Sequence, residues 1–171
     1  MLSGETAIGK HPIESLEAMV SIIREVESSG FLDQGPIYGT FSGSHKRGGA
    51  TPREHAVASA TVEVARQLEV PAIIVITHSG FSARLVSSYR PKAPLFAVCS
   101  DDYTCRQLAA VWGVYPVLAE DVEVNYEALS QFGKNVVLQK GLGTPGDSIV
   151  VTSGFPFDIS GTTNTMQVEV I

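Results

Sequence analysis

Between Pro12 and Glu27 the apolar residues Ile13, Leu16, Met19, Val20, Ile23 and Val26 recur at three- and four-residue steps, and Glu14, Glu17, Arg24 and Glu25 fill the opposite positions. That period predicts an amphipathic helix. From Gly30 to Ala50 the pattern stops. "GFLDQGPIYGTFSGSHKRGGA" is rich in glycine, holds one proline and keeps no period, so a linker is expected over 30–50. Its Lys46 and Arg47 read as solvated loop charges.

A new element opens at "TPREHAVASATVEVARQLEV". Thr51 stands at the N-cap, Pro52 at the first helical position and Glu54 three residues after Thr51, the arrangement of a capping box. Short apolar runs and helical periods then alternate. "PAIIVIT", "APLFAVCS" and "GVYPVLA" predict strands; "FSARLVSSY" and "DDYTCRQLAAVW" predict the helices between them, the second capped by Asp101 or Asp102. "VNYEALSQFGKNVVLQKG" predicts a helix closed by Gly141, followed by "DSIVVTSG" and "TNTMQVEVI", two strands with no helix between. The predicted fold class is α/β: a three-layer α/β/α sandwich around a mostly parallel five-stranded sheet, with one antiparallel strand at the end.

Composition narrows the functions open to such a fold. The 171 residues suit one compact domain with an appendage. Lys and Arg number 12 against 18 Asp and Glu, a net charge of −6, and no basic stripe could track a nucleic-acid backbone. No apolar run approaches the roughly 20 residues that span a bilayer, and the N-terminus lacks a signal-peptide layout. A soluble, cytoplasmic protein without membrane or nucleic-acid partners is therefore expected. Cys99 and Cys105 match no zinc or redox spacing and read as buried, reduced thiols. His11, His45 and His55 have no metal-ligand spacing, and Trp112 and Tyr115 read as core. Arg84 and Arg90 flank the stretch discussed next, and Arg90 reads either as a solvated arginine or as a carboxylate partner at a subunit contact.

The stretch "ITHSGFSARLVSSYRP" at 76–91 leaves a buried strand and at once places Thr77, Ser79, Gly80 and Ser82 at the start of a helix. Two readings fit. Ser79 or Ser82 caps the helix while Thr77 satisfies the strand end, or hydroxyls and helix-start amides hold an anion, with Gly80 allowing close backbone approach. In an open parallel sheet, ligands lie outside the carboxyl ends of the strands, where this stretch falls.

Three segments in order, "MLSGETAIGKHP" at 1–12, "ITHSGFSARLVSSYRPKAPLFAV" at 76–98 and "GTTNTMQVEVI" at 161–171, resemble pyruvate kinase. With "GVYPVL" and "PGDSIVVTSG", the resemblance covers essentially the whole chain. It implies that residues 1–29 are the remnant of the catalytic barrel's last strand and helix, that 30–50 is a linker, and that 51–171 is the complete C-terminal α/β domain. It implies too that Met1 lies inside a barrel strand, so the chain is expected to be a piece of a longer protein.

The parent would transfer phosphate from phosphoenolpyruvate to ADP, with magnesium and potassium held by upstream barrel segments that have no counterpart here. Ser3 and Glu5 match positions near the active-site end of the barrel, but alone they cannot hold magnesium and a nucleotide. No catalysis, no catalytic or metal-binding residue and no cofactor is expected of this chain by itself. What the resemblance does imply is tetramer contacts, hence a homo-oligomer, and an allosteric effector site whose Thr-x-Ser-Gly-x-Ser loop falls on Thr77, His78, Ser79, Gly80 and Ser82. His78 replaces a lysine of the fructose-bisphosphate-activated animal members. Leu118 replaces their tryptophan, the segment "LAEDVEVNY" has no arginine where those members carry one, and Asp158 stands in the last loop. These departures favour a sugar monophosphate or a nucleoside monophosphate over a bisphosphate. The alternative is a stand-alone phosphometabolite-binding module that begins at Met1.

Overall fold

A computed structural model describes residues 1–31, 50–157 and 162–171. Most of the expected linker, with Lys46, Arg47 and His45, lies outside the described residues, as does Asp158. The chain divides into two units. The first holds α1 (Gly4–Ala7) and α2 (Pro12–Ser28). The amphipathic helix forms as predicted, and no α2 residue is buried. The strand implied at Met1 does not form: residues 1–3 join no element and Gly4–Ala7 make a helical turn. A strand needs neighbours to take its N–H and C=O groups.

The second unit runs α3 (Pro52–Gln67), β1 (Ile73–Thr77), α4 (Phe81–Ser88), β2 (Leu95–Cys99), α5 (Asp102–Leu108), β3 (Val114–Leu118), α6 (Tyr126–Gln139), β4 (Ser148–Ser153) and β5 (Thr165–Val170). The sheet order is β3-β2-β1-β4-β5, parallel throughout except for the antiparallel β4–β5 pair. The predicted sandwich is the observed one. Helices α3, α4 and α5 cover one face, where Ala58, Val86 and Leu108 meet Ile73, Val75 and Leu95. Helix α6 covers the other, setting Leu129 and Val137 on Ile74, Phe96 and Ile149. Because β1 is buried on both faces, it reads as an unbroken apolar run.

Local signals place the ends of the elements. Thr51 and Glu54 close the capping box of α3; Asp101 caps α5 by accepting from Thr104 N at 3.0 Å, and Asn125 caps α6 by accepting from Ala128 N at 2.8 Å. Gly141, at φ 67°, ends the α6 segment as predicted. Helix α5 stops at Leu108, short of the predicted Trp112, because the chain turns back toward β3: Trp112 O accepts from Ser87 Oγ at 2.6 Å and Gly113 takes φ 65°.

Trp112 and Tyr115 are not core. They are 40% and 56% exposed, because β3 is an edge strand. The edge also admits Pro116, which has no N–H to offer a neighbour. Arg90 is exposed and its guanidinium lies 4.4 Å from the Trp112 ring centroid, a cation–π contact that accompanies its solvation. Cys99 and Cys105 are buried free thiols, as expected. Burial pushes both up in pKa, which keeps them protonated and unreactive.

One polar cluster joins α6 to the last strand. Glu169 of β5 accepts from Tyr126 Oη at 2.5 Å and Ser130 Oγ at 2.9 Å, and pairs with Lys134 Nζ at 2.6 Å. Burial works to raise the Glu169 carboxyl, but the bonds from Lys134, Tyr126 and Ser130 outweigh it and hold the group below the usual glutamate range. A depressed folded-state pKa contributes stability that is complete above about pH 4.3, the ordinary glutamate value, and lost as pH falls through the folded value. Glu169→Gln is expected to cost about 1–3 kcal/mol near neutrality. It should also flatten the acid limb of stability against pH, as measured by denaturant unfolding between about pH 3 and 7; an unchanged acid limb would remove Glu169 from this role.

Candidate functional site

Strand order fixes where a ligand can approach. From β1 the chain crosses to β2 on one side, whereas β4 lies on the other, so the point at which the strand order reverses falls between β1 and β4, and in open sheets ligands lie outside the carboxyl ends of the strands at such a point. Thr77 ends β1 and Ser153 ends β4, one step apart in a register that pairs Ile76 with Ser153. The five sequence-predicted residues, Thr77, His78, Ser79, Gly80 and Ser82, run from the last residue of β1 into the first turn of α4.

Neither serine caps α4. Its N-cap is Gly80, at φ 77°, with no side-chain cap bond. Thr77 Oγ1 accepts from Gly80 N at 3.0 Å, so the strand-end part of the capping reading holds and the helix-cap part does not. The first main-chain bond into the helix is Arg84 N to Gly80 O at 3.0 Å, which leaves the amides of Phe81, Ser82 and Ala83 without intrahelical acceptors. Thr77 keeps its own hydroxyl proton in this arrangement. Ser79 is half-buried, and His78 is exposed. Ser82 is buried and already engaged: its Oγ lies 3.1 Å from Thr162 O and 2.7 Å from Thr163 Oγ1.

Helix α5 props this loop from the side. Thr104 Oγ1 donates to His78 O at 3.1 Å, and Leu108 packs so closely that a Cβ on Gly80 would sit 3.1 Å from its Cδ2. Arg84 donates to Ser79 O at 3.1 Å and to Gln107 Oε1 at 2.9 Å, tying loop, α4 and α5 together. Asp101 stands near His78. The hydroxyl and amide of Thr104 hold its carboxyl below the usual aspartate range, and the His78 charge adds to that effect.

Thr104, Leu108, Thr162 and Thr163 escaped the reading of the sequence. Only the hydroxyl run "TTNT" at 162–165 hinted at the last two. Among the described residues no three His, Cys, Asp or Glu side chains converge as metal ligands would. Nor is any helix of the described residues long and apolar enough to cross a membrane.

Comparison with known proteins agrees with this architecture. The family described as pyruvate kinase, alpha/beta domain, matches residues 55–169. A pyruvate kinase of Clostridium acetobutylicum is 36% identical over 171 residues, all of this chain and 35% of that protein. One from Agrobacterium vitis is 38% identical over 168 residues, 98% of this chain and 34% of its own length. Another, from Geobacillus stearothermophilus, is 36% identical over the whole chain and 28% of its own length. The chain thus spans about a third of the length of the curated relatives it matches.

Gly80 is the residue the loop tolerates least. Its positive φ disfavours any side chain, and an added Cβ would also lie 2.7 Å from Arg84 Nη1. Gly80→Ala is expected to destabilise by about 1–2 kcal/mol, read as a lower melting temperature with the secondary structure retained. A melting temperature equal to that of the original chain would show that the loop relaxes freely.

Proposed function

Because the chain belongs to the pyruvate kinase family and carries its alpha/beta domain, we propose that it is the C-terminal regulatory and assembly part of a pyruvate kinase. The parent reaction is phosphoryl transfer from phosphoenolpyruvate to ADP, with magnesium and potassium acting in the barrel, and this chain alone is catalytically inactive. Its own task is to hold the phosphate of a small effector at the β1–α4 loop. The observation that carries this reading is the start of α4, where three amides without intrahelical acceptors sit beside the hydroxyls of Thr77 and Ser79 and the left-handed Gly80. Ser82 adds its amide and, by turning, its hydroxyl.

Monophosphates fit better than bisphosphates. One cradle serves one phosphate, and Leu118, where the bisphosphate-activated members have a tryptophan, is partly buried against the core rather than offered to a ligand. Assembly has support of a different kind. β5 is the sheet's edge, and Val168 and Val170 on it are 49% and 60% exposed, a strand and apolar surface suited to a second copy.

Calorimetry of the chain with ribose 5-phosphate, glucose 6-phosphate, AMP and fructose 1,6-bisphosphate is expected to show binding, tighter for a monophosphate. Ser79→Ala should weaken it about tenfold, the loss of one charge-assisted bond, with thermal unfolding unchanged. No heat from any of the four at millimolar concentration would sink the effector reading. Sedimentation is expected to give a dimer or larger species. Monomer alone at high concentration would count against assembly through this domain.

A further inference from the structure

The two faces of the sheet are covered unequally. Helices α3, α4 and α5 pack on one face, whereas α6 is the only helix on the other among the described residues. A helix with its side chains is roughly 10–12 Å wide, so it reaches about 5–6 Å to either side of its axis. α6 is seated on β1, where Gly133 meets Ile74. β3 lies two strand spacings away, about 9.5 Å. The margin of the sheet beside β3 therefore extends past the helix.

That margin is a groove of about 820 Å³ at the amino ends of β2 and β3, the end of the sheet opposite the β1–α4 loop. Its size suits a small organic molecule. Phe96 and Val117 give it an apolar floor. Tyr115 stacks on Phe96 with ring centroids 5.5 Å apart and planes 26° apart, yet it is 56% exposed, so an anchored aromatic ring keeps surface to offer. Pro94 and Pro116, fixed in φ, stiffen the walls. Lys92 and Lys140 line the groove and no acidic residue does, although the chain carries −6 overall. Lys140 pairs with no carboxylate of the described residues.

We infer that this groove binds a small amphipathic anion, a flat aromatic body with one carboxylate or phosphate, its ring against Tyr115 and its charge toward the two lysines. A neutral aromatic gains the stacking but not the charge-assisted bonds, and an inorganic anion gains nothing from the floor. A cation meets two like charges. A second copy of the chain is a poorer occupant, because Pro116 offers no N–H through which the β3 edge could extend a sheet.

The test is amide NMR of the whole chain titrated with 1-naphthoate, 1-naphthyl phosphate and neutral 1-naphthamide at constant ionic strength. Either anion is expected to shift amides within 92–96, 115–117 and 136–142, and the ratio of the two affinities tells carboxylate from phosphate. Naphthamide should bind about tenfold more weakly, and Lys140→Gln should weaken the anions about three- to tenfold while leaving naphthamide unchanged. Tyr115→Ala should weaken all three. Naphthamide binding as tightly as the anions would overturn the inference. So would no shift at millimolar concentration, or shifts confined to other residues such as 12–28 or 77–83; these readouts need only the original chain. Shifts of the groove amides with protein concentration alone would assign the groove to a second copy instead. If Lys140 serves only to offset the negative end of α6, Lys140→Gln will lower the melting temperature with both anion affinities unchanged, which also overturns it.

Discussion

Close packing on both faces of β1 constrains everything else in the α/β unit. On one side α6 approaches so tightly that a Cβ on Gly133 would lie 2.8 Å from Ile74 Cγ2. On the other, Ile73 and Val75 share a cluster with Ala58, Ala83 and Val86, small or branched residues that let α3 and α4 settle close to the sheet. β2 and β4 occupy the two edges of β1. What remains of the strand is its two ends, and the carboxyl end, where Thr77 hands the chain to α4, is the end at which open parallel sheets place their ligands.

An anion held at that loop, as proposed, would be bound without help from the molecule's overall charge. At −6 the chain as a whole repels anions, though beyond a Debye length of about 8 Å the repulsion is largely screened. Attraction has to come from donors in contact range. Amides at a helix start and hydroxyls on short side chains are suited to this, since they cost little conformational entropy to hold in place. α5 braces the loop from outside through Thr104 and Leu108.

Features legible in the sequence were those decided within a few residues. The Thr51–Glu54 capping box spans three positions, and the start of α3 follows from it. The Gly80 turn and the apolar run of β1 were equally local, and both sit where they were expected. What stayed hidden depends on distant neighbours. Ser82 meets Thr163 across 81 positions of sequence, and no local pattern announces such a pair. Trp112 and Tyr115 read as core because aromatic residues usually are; strand order made β3 an edge and left them half-exposed. Glu169 carries no local sign of its partners, and only the packing of α6 across β5 gives it Lys134, Tyr126 and Ser130.

The same carboxylate governs how the end of the chain can come loose. β5 pairs Glu169 with Ile149, on the face covered by α6, and Val168 with Val150, on the face covered by α3. Sliding β5 by one residue would invert its faces, strand the charge over the opposite apolar surface and abandon Lys134. Register slippage is thus costly, and the cluster of Lys134, Tyr126 and Ser130 around Glu169 acts as a key that admits β5 in one alignment only.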